Sequence, residues 1–128
     1  MAQVKSIMTT ELVTVSEQTP VYAAMRILFQ YNITGLPVVE DGMRLVGILT
    51  DLDLLDMLDG PDKYESKVGD HMTKGIIACK AEDELSDICK KMPKHTIRRL
   101  PVVEDDVLVG IVSLEDILRH ILQQHDAG

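Results

Sequence analysis

Aromatic and basic residues are both scarce in this sequence, and their scarcity limits the partners that it can bind. There is no tryptophan, one phenylalanine and three tyrosines, too few for a row of aromatic side chains that stacks on nucleic-acid bases. Thirteen lysines and arginines face 21 aspartates and glutamates, and the net charge of −8 disfavours long-range attraction to nucleic acid or to an anionic membrane. An anionic ligand would therefore need a local basic patch.

Long hydrophobic runs and targeting segments are also missing. No apolar stretch approaches the roughly 20 residues needed to cross a membrane, and the first fifteen residues lack the unbroken apolar segment of a signal peptide. The two cysteines, Cys79 and Cys89, lie ten positions apart with no second pair, which favours neither a zinc site nor a disulfide framework. We therefore expect a cytoplasmic protein whose two cysteines are reduced core residues.

Motifs of catalysis are absent as well. The sequence has no phosphate-binding loop, no G-x-S-x-G nucleophile motif and no G-x-G-x-x-G dinucleotide motif. His120 and His125 are five residues apart, whereas two metal ligands on one helix face are four apart. We predict that the protein is not an enzyme and that it requires neither a metal nor a cofactor.

The sequence does contain an internal repeat. Its 128 residues, 45% apolar and 27% charged, suit a globular protein that buries a core without disulfides. Residues 36–41 and 100–105 both read LPVVED, and a shift of 64 positions aligns 4–41 with 68–105 at ten identical pairs out of 38. This pattern indicates a tandem duplication. We place the first copy at 1–58, a linker at 59–67, the second copy at 68–124 and a tail at 125–128.

Each copy follows the same order of predicted elements. In the first copy, residues 10–15 alternate as a short strand, and Pro20 suits the first turn of a helix. LPVVE is typical of a buried strand, Asp41 and Gly42 of a hairpin turn, and residues 44–49 of the returning strand. Thr50 then begins a short helix with leucines at 52, 55 and 58 on one side. The last helix of the second copy carries an apolar stripe of Leu114, Ile117, Leu118, Ile121 and Leu122.

This order predicts a mixed α/β (α+β) protein with tandem β-α-β-β-α repeats. A unit of this size does not easily close a core alone, so we expect the copies to pack face to face about a pseudo-twofold axis, with a cleft between them. Pro93 replaces Phe29 of the first copy and is expected to end the helix from Glu84 early, leaving 94–96 as an exposed loop. His71 replaces Ile7 and is expected to be a half-buried core histidine.

The two copies resemble the cystathionine-β-synthase (CBS) domain pair, also called a Bateman module. The resemblance rests on IMT(x)n-TGLPVVED(x)n-LVGILTDLDLL and HMT(x)n-RRLPVVED(x)n-LVGIVSLEDIL, and it covers essentially the whole chain. It implies a regulatory role, because such modules are similar to sensors that bind adenine nucleotides between paired repeats and signal occupancy to a partner protein. It favours AMP, ADP or ATP over S-adenosylmethionine and leaves the effector protein unidentified.

Two short motifs, Thr50 to Asp53 and Ser113 to Asp116, provide the first candidate ligand residues. Each hydroxyl follows a strand and precedes a helix, where free backbone N–H groups can hold a phosphate. Each carboxylate comes one turn later, and the resemblance implies that it accepts hydrogen bonds from a ribose diol. The same spacing is also a variant capping box, in which the side chains satisfy their own helix terminus. The two roles are compatible and both stay open.

Arg98 and Arg99 directly precede the second LPVVED, where the first copy has Thr34 and Gly35. The resemblance implies that the arginines bind phosphate, which a planar guanidinium can grip through two hydrogen bonds. The alternative is a solvated basic loop. Because Thr34 offers only a hydroxyl, we expect the two pockets to be unequal and the pocket containing Asp116 to fill first.

The resemblance further implies that each pocket draws on both copies. Beside the second motif it places Thr10 and Val13, with Thr34 beneath. Beside the first motif it places residues 74–77, and apolar residues such as Val13 and Ile77 would then face the adenine. The alternative for both of these apolar residues is packing in the core.

Two functions of different classes remain open. The first is nucleotide sensing, and the second is a dimerising protein-interaction module with vestigial pockets and no nucleotide. The crowding of Leu52, Leu54, Leu55 and Leu58 on one short segment leaves apolar surface that one sheet does not cover. We therefore expect a symmetric homodimer, a flat disc of four repeats joined through helices.

Overall fold

The computed structural model describes residues 2–58, 66–94 and 97–128. It divides into two compact units, one made of Val13–Ile76 and the other of Met1–Leu12 with Ile77–Gly128. We call them the N-terminal unit and the C-terminal unit. The units do not coincide with the repeats of the sequence, because the first residues of each copy pack with the strands of the other copy.

The N-terminal unit contains helix α1 (Val21–Tyr31), strands β1 (Gly35–Glu40) and β2 (Arg44–Thr50), a 3₁₀ helix at Leu52–Leu58 and a 3₁₀ turn at Val68–Asp70. Pro20 occupies the N-cap of α1, in agreement with the predicted helix start. The helix ends at Asn32, whose left-handed backbone (φ 52°) directs its N–H to the carbonyls of Leu28 and Phe29.

The C-terminal unit repeats this order with a longer last helix. It contains a 3₁₀ turn at Val4–Ser6, helix α2 (Leu85–Lys94), strands β3 (Arg99–Glu104) and β4 (Val107–Ser113), and helix α3 (Leu114–Ala127). Its core is built from the inward faces of these elements. The central buried residues are Val4, Ile88, Leu100, Val102 and Val112.

Both hairpins are antiparallel and carry a bulge at the same place. In the first, Val38 pairs with Gly47 and Val39 with Leu45, so one residue of β2 is left unpaired. The second hairpin shows the same shift between Val102 and Val103. In each hairpin the residue before the shift, Val38 or Val102, also pairs with a preceding segment of its unit. The predicted LPVVED strands and their returning partners are confirmed.

The centre of each returning strand requires glycine, because a neighbouring segment of the same unit lies too close for a side chain. A Cβ atom built on Gly47 would lie 2.6 Å from Met72 Sδ and 3.1 Å from the Thr73 carbonyl oxygen. The equivalent atom on Gly110 would lie 2.7 Å from Met8 Sδ. The repeated LVGI motif therefore keeps room for the segment that pairs beside it.

The strand predicted at residues 10–15 is wrong. The only pairing within this stretch is the isolated bridge of Val15 with Val38 in the N-terminal unit. Thr9, which precedes the stretch, forms a bridge with Ile111 in the C-terminal unit. The division between units falls at Leu12 and Val13. Thr9, just before the stretch, and Val15, at its end, pair with different hairpins, so the stretch does not form one continuous ladder, although its alternation suits a strand.

The early helix break predicted at Pro93 is also wrong. Helix α2 runs through Pro93 to Lys94, so Lys94 is helical, while 95 and 96 lie outside the described residues. Proline in the last turn removes one hydrogen bond, and Met92, only 2% exposed, anchors that turn in the core. Packing of the apolar face outweighs the local preference of the residue before a proline.

The two cysteines differ from the prediction in one case. Cys79 is buried in the core, as expected, whereas Cys89 is exposed on α2. Burial raises the pKa of the Cys79 thiol from its usual 9.0 to about 11, and the Asp83 carboxylate adds to the rise while Lys91 opposes it. Cys79 is thus a poor nucleophile at neutral pH.

The observed elements confirm the mixed α/β class. The short helix expected after Thr50 is a 3₁₀ helix, whose three-residue period aligns Leu52, Leu55 and Leu58 on one side. Across residues 2–58, 66–94 and 97–128, no helix is long and apolar enough to cross a membrane.

Candidate functional site

The start of helix α3 is organised by Ser113 and Asp116. The Ser113 N–H donates to Asp116 Oδ2 at 2.9 Å, and the Asp116 N–H donates to Ser113 Oγ at 3.1 Å. The two residues thus form the reciprocal capping box that their spacing allows. The capping role uses one carboxylate oxygen of Asp116 and leaves Oδ1 for other partners.

The equivalent motif of the N-terminal unit has the same two bonds. The Thr50 N–H donates to Asp53 Oδ2 at 2.9 Å, and the Asp53 N–H donates to Thr50 Oγ1 at 3.3 Å. Here, however, the motif opens the short 3₁₀ helix Leu52–Leu58 and not a long α-helix. The same chemical groups are therefore held by a weaker element.

The free oxygen of each carboxylate has a different neighbour in the two units. Asp53 Oδ1 accepts a hydrogen bond from the Thr73 hydroxyl at 3.1 Å. Asp116 Oδ1 lies 3.4 Å from the guanidinium of Arg119, which makes its shorter contact of 2.8 Å with Glu115. The contact at 3.4 Å is the weaker one, so Asp116 Oδ1 is held less strongly by its neighbour than Asp53 Oδ1 is.

Arg99 lies directly opposite Ser113 in the β3–β4 ladder. Residues that face each other in an antiparallel pair project on the same side of the hairpin, with Cβ atoms about 4.5–5.5 Å apart. Arg98 precedes the strand, and its carbonyl oxygen accepts the Leu114 N–H at 2.8 Å. Both arginine side chains are exposed, and Arg99 is the one that shares a face with the Ser113 hydroxyl.

The N-terminal unit repeats this backbone arrangement without the positive charge. Gly35 pairs with Thr50, and the Thr34 carbonyl oxygen accepts the Asp51 N–H at 2.9 Å. The two hairpins therefore differ in charge at the same position, which is Gly35 in the first and Arg99 in the second. One motif lies opposite Arg99 across the ladder, and the other lies opposite Gly35.

The remaining candidate residues are divided between the two units. Thr10 is exposed in the C-terminal unit and follows Thr9, which forms an antiparallel bridge with Ile111. Val13 packs partly buried against the core of the N-terminal unit, and Ile77 does the same in the C-terminal unit. Both residues are only partly buried, so packing against the core leaves each with exposed apolar surface, and adenine contact by either stays a prediction.

A pair that the sequence did not indicate links His71 to Asp56. The His71 side chain is 6% exposed, and its Nδ1 lies 3.1 Å from Asp56 Oδ1 on the 3₁₀ helix. The buried Nε2 has no hydrogen-bond partner among the described residues. The sequence held one hint of this pair, because both residues differ from their equivalents in the other copy. Ile7 is equivalent to His71, and Arg119 is equivalent to Asp56.

Apolar surface is exposed along the last helix of each unit. On the 3₁₀ helix, Leu52, Leu55 and Leu58 are 74%, 70% and 88% exposed. On α3 the exposed stripe consists of Leu114, Leu118, Ile121 and Leu122. Beside this stripe lies an open apolar cavity of ≈ 160 Å³ lined by Ala2, Leu85, Cys89, Ile117 and Ile121 among others.

Known proteins of the same architecture cover the chain almost completely. The profile of the CBS domain matches residues 4–60 and 68–123. The CBS domain-containing protein YhcV of Bacillus subtilis is 36% identical over 130 residues, which span 100% of this chain and 91% of that protein.

Two solved structures are similarly close. The structure of CBSX2 in complex with AMP has a TM-score of 0.87 at 33% identity and covers 96% of this chain and 98% of that one. The CBS domain pair of protein MJ0100, in complex with 5′-methylthioadenosine and S-adenosyl-L-methionine, has a TM-score of 0.84 at 30% identity and covers 97% and 98%. With both repeats matched, the chain belongs to the CBS domain family.

Proposed function

We propose that this protein is a regulatory module that binds an adenine nucleotide and signals its occupancy to a partner protein. AMP, ADP and ATP are the favoured ligands. The proposal rests on three groups near the start of α3. They are the Ser113 hydroxyl, the Asp116 Oδ1 atom, which has one long contact, and the exposed Arg99, which is paired with Ser113 in the hairpin.

Each of these groups matches one part of a nucleotide. The Asp116 carboxylate is an acceptor for the two hydroxyls of a ribose, and hydrogen bonds to a charged group contribute about 1.5–3 kcal/mol. Ser113 supplies a hydroxyl and Arg99 a positive charge for phosphate oxygens. In a chain with a net charge of −8, Arg98 and Arg99 provide the local attraction that an anionic ligand needs.

Capping does not conflict with this role. The capping box occupies Asp116 Oδ2 and one lone pair of Ser113 Oγ, and an ionised carboxylate has about four acceptor positions. A ribose would displace the long Arg119 contact and leave the short bonds of the cap intact. That Thr10, Val13, Thr34 and Ile77 complete the two pockets stays a prediction of the family resemblance.

Similar proteins support the ligand class. CBSX2 was solved with AMP, and the MJ0100 domain pair with 5′-methylthioadenosine and S-adenosyl-L-methionine. All three ligands share an adenosine group and differ in what the 5′ carbon carries. The exposed arginines favour a phosphate at that position over the cationic sulfonium of S-adenosylmethionine.

We further propose that the module acts in the cytoplasm as a homodimer whose copies meet through helices. The exposed leucines and isoleucine on α3 form one contiguous stripe, which is the kind of patch that marks an interface. The same helix carries Asp116, so a contact along α3 would couple nucleotide occupancy to the assembly. No catalytic step is assigned to the protein.

Calorimetric titration tests the function. Purified protein is titrated with AMP, ADP, ATP, 5′-methylthioadenosine and S-adenosylmethionine, after its absorbance at 260 nm has been checked for a nucleotide carried through purification. We expect a dissociation constant on the order of micromolar to millimolar for at least one phosphate-bearing ligand. Absence of heat with all five ligands, for folded and nucleotide-free protein, would favour the interaction module with vestigial pockets.

A further inference from the structure

We propose that the segment His71–Thr73 is a clamp that orders the 3₁₀ helix Leu52–Leu58 and so controls the Asp53 carboxylate. His71 and Thr73 are then positioning residues for the N-terminal motif. The consequence for nucleotide binding rests on the proposed function, whereas the clamp itself rests on the contacts of this unit alone.

The 3₁₀ helix is weakly anchored, with Leu54 packed partly buried against the core of the unit. None of its residues is buried, and three of its leucines are 70% exposed or more. It is seven residues long, and 3₁₀ hydrogen bonds have poorer geometry than α-helical ones. A helical segment of this length is marginal by itself and depends on contacts with the rest of its unit.

Two side-chain bonds supply such contacts from one short segment. Thr73 donates its hydroxyl proton to Asp53 Oδ1 at 3.1 Å, and His71 Nδ1 lies 3.1 Å from Asp56 Oδ1. Asp53 and Asp56 are three residues apart, which places them on one side of a 3₁₀ helix. The segment is itself fixed, because Thr73 exchanges two backbone hydrogen bonds with Ile48 of β2.

The C-terminal unit shows that the clamp is specific to one repeat. There Ile7 stands in place of His71 and packs against the core, while Arg119 stands in place of Asp56 and bonds within its own helix. Helix α3 has 14 residues and is anchored by the buried Ile117. Both carboxylates make the capping bonds of their motif, but Asp116 sits on a long, anchored helix, whereas Asp53 sits on a short 3₁₀ helix and has the further bond from Thr73.

Burial of the His71 side chain is energetically unfavourable, which also supports a specific role for its contact with Asp56. An isoleucine fits the equivalent position of the other unit, yet here an imidazole is buried with its Nε2 unpartnered. An unsatisfied buried polar atom is unfavourable for stability. The contact with Asp56 is what the histidine offers in place of an isoleucine.

Hydrogen exchange measured by mass spectrometry tests the clamp directly. The double variant His71→Ile/Thr73→Val removes both side-chain donors while keeping shape and the backbone bridge. We expect exchange in peptides covering 52–58 to accelerate about tenfold, peptides covering 114–122 to keep their rates, and the midpoint of thermal unfolding to stay level or rise. Thr9→Val, at the equivalent position of the other repeat, is the matched control and should change neither region.

The outcomes separate the clamp from a general effect on folding and from the proposed function. Exchange at 52–58 that changes by less than about threefold overturns the clamp, and so does acceleration spread over the whole chain with a lowered unfolding midpoint. If the wild type binds two nucleotides, the double variant should lose the weaker site alone. If it binds none, the proposed function fails, while the exchange rates still decide whether the clamp exists.

Discussion

Arg99 lies opposite Ser113 in its hairpin, whereas the equivalent pair of the other hairpin is Gly35 and Thr50. The two candidate motifs therefore share a hydroxyl and a carboxylate but differ by one guanidinium on the hydroxyl's face. Since a nucleotide carries several negative charges, this difference predicts unequal affinities.

Arg99→Ala should weaken binding of ATP more than Arg98→Ala does, because only Arg99 pairs with Ser113. The loss of a charge-assisted contact of about 1.5–3 kcal/mol corresponds to roughly ten- to hundredfold in affinity. The effect should shrink for AMP and at high salt, since it is largely Coulombic. Calorimetry with both nucleotides at two ionic strengths measures it. Equal affinities for wild type and an Arg98→Ala/Arg99→Ala variant would refute a phosphate role for either arginine.

Asp116 has two separable roles, and two substitutions distinguish them. Asp116→Asn keeps an acceptor oxygen for the Ser113 N–H, so it should cost little stability but weaken nucleotide binding by about 1–3 kcal/mol. Asp116→Ala should additionally lower the free energy of unfolding by about 1 kcal/mol through loss of the cap. Thermal unfolding and calorimetry on both variants give the two numbers. Wild-type affinity in folded Asp116→Asn protein would rule out the ribose assignment.

Cys79 should be protected in the folded state and contribute to a loss of stability at alkaline pH. In a Cys89→Ser background we expect no alkylation at pH 8 until the protein is denatured, because burial disfavours the thiolate. Between pH 9 and about 11 the unfolded thiol loses its proton while the folded one keeps it. The free energy of unfolding should therefore fall in this window by up to about 2.7 kcal/mol relative to a Cys79→Ala variant.

The exposed stripe of α3 should form the dimer contact. Leu118→Glu/Leu122→Glu places two charges on it and is expected to convert a dimer into a 14.3 kDa monomer with unchanged circular dichroism. Val107→Glu, at an exposed apolar position on the β3–β4 hairpin, is the control and should leave the mass unchanged. Sedimentation at micromolar concentration reads out all three proteins. A wild-type monomer in that experiment would contradict the homodimer.

Periodicity and repetition in the sequence were sufficient to predict the hairpins and the helices that follow them. The alternation in LPVVED and the turn at Asp41 and Gly42 specify local pairing, and both hairpins contain that pairing. The strand prediction for residues 10–15 failed because Thr9, just before them, and Val15, at their end, pair in different units, and no local pattern reports such distant pairing. Pro93 failed because the burial of Met92 in the core outweighs a backbone preference.

Within the candidate site, the sequence was sufficient for the motifs but not for their partners. The spacing of Ser113 and Asp116 predicted the capping box that is observed. The bonds of Asp53 with Thr73 and of Asp56 with His71 join residues 15 to 20 positions apart, and only the folded chain brings them together. Comparison of the two copies was the one available hint, since Ile7 replaces His71 at the equivalent position.

Nucleotide binding at the Asp116 motif is tested by titration of ¹⁵N-labelled protein with AMP and ATP, followed by NMR of the backbone amides. We expect the signals of Arg99, Ser113 and Asp116 to shift first, and those of Thr50 and Asp53 to shift only at higher nucleotide concentration. Shifts that begin at Thr50 and Asp53, or no shift at either motif at millimolar nucleotide, would show that the Asp116 motif is not the primary nucleotide site.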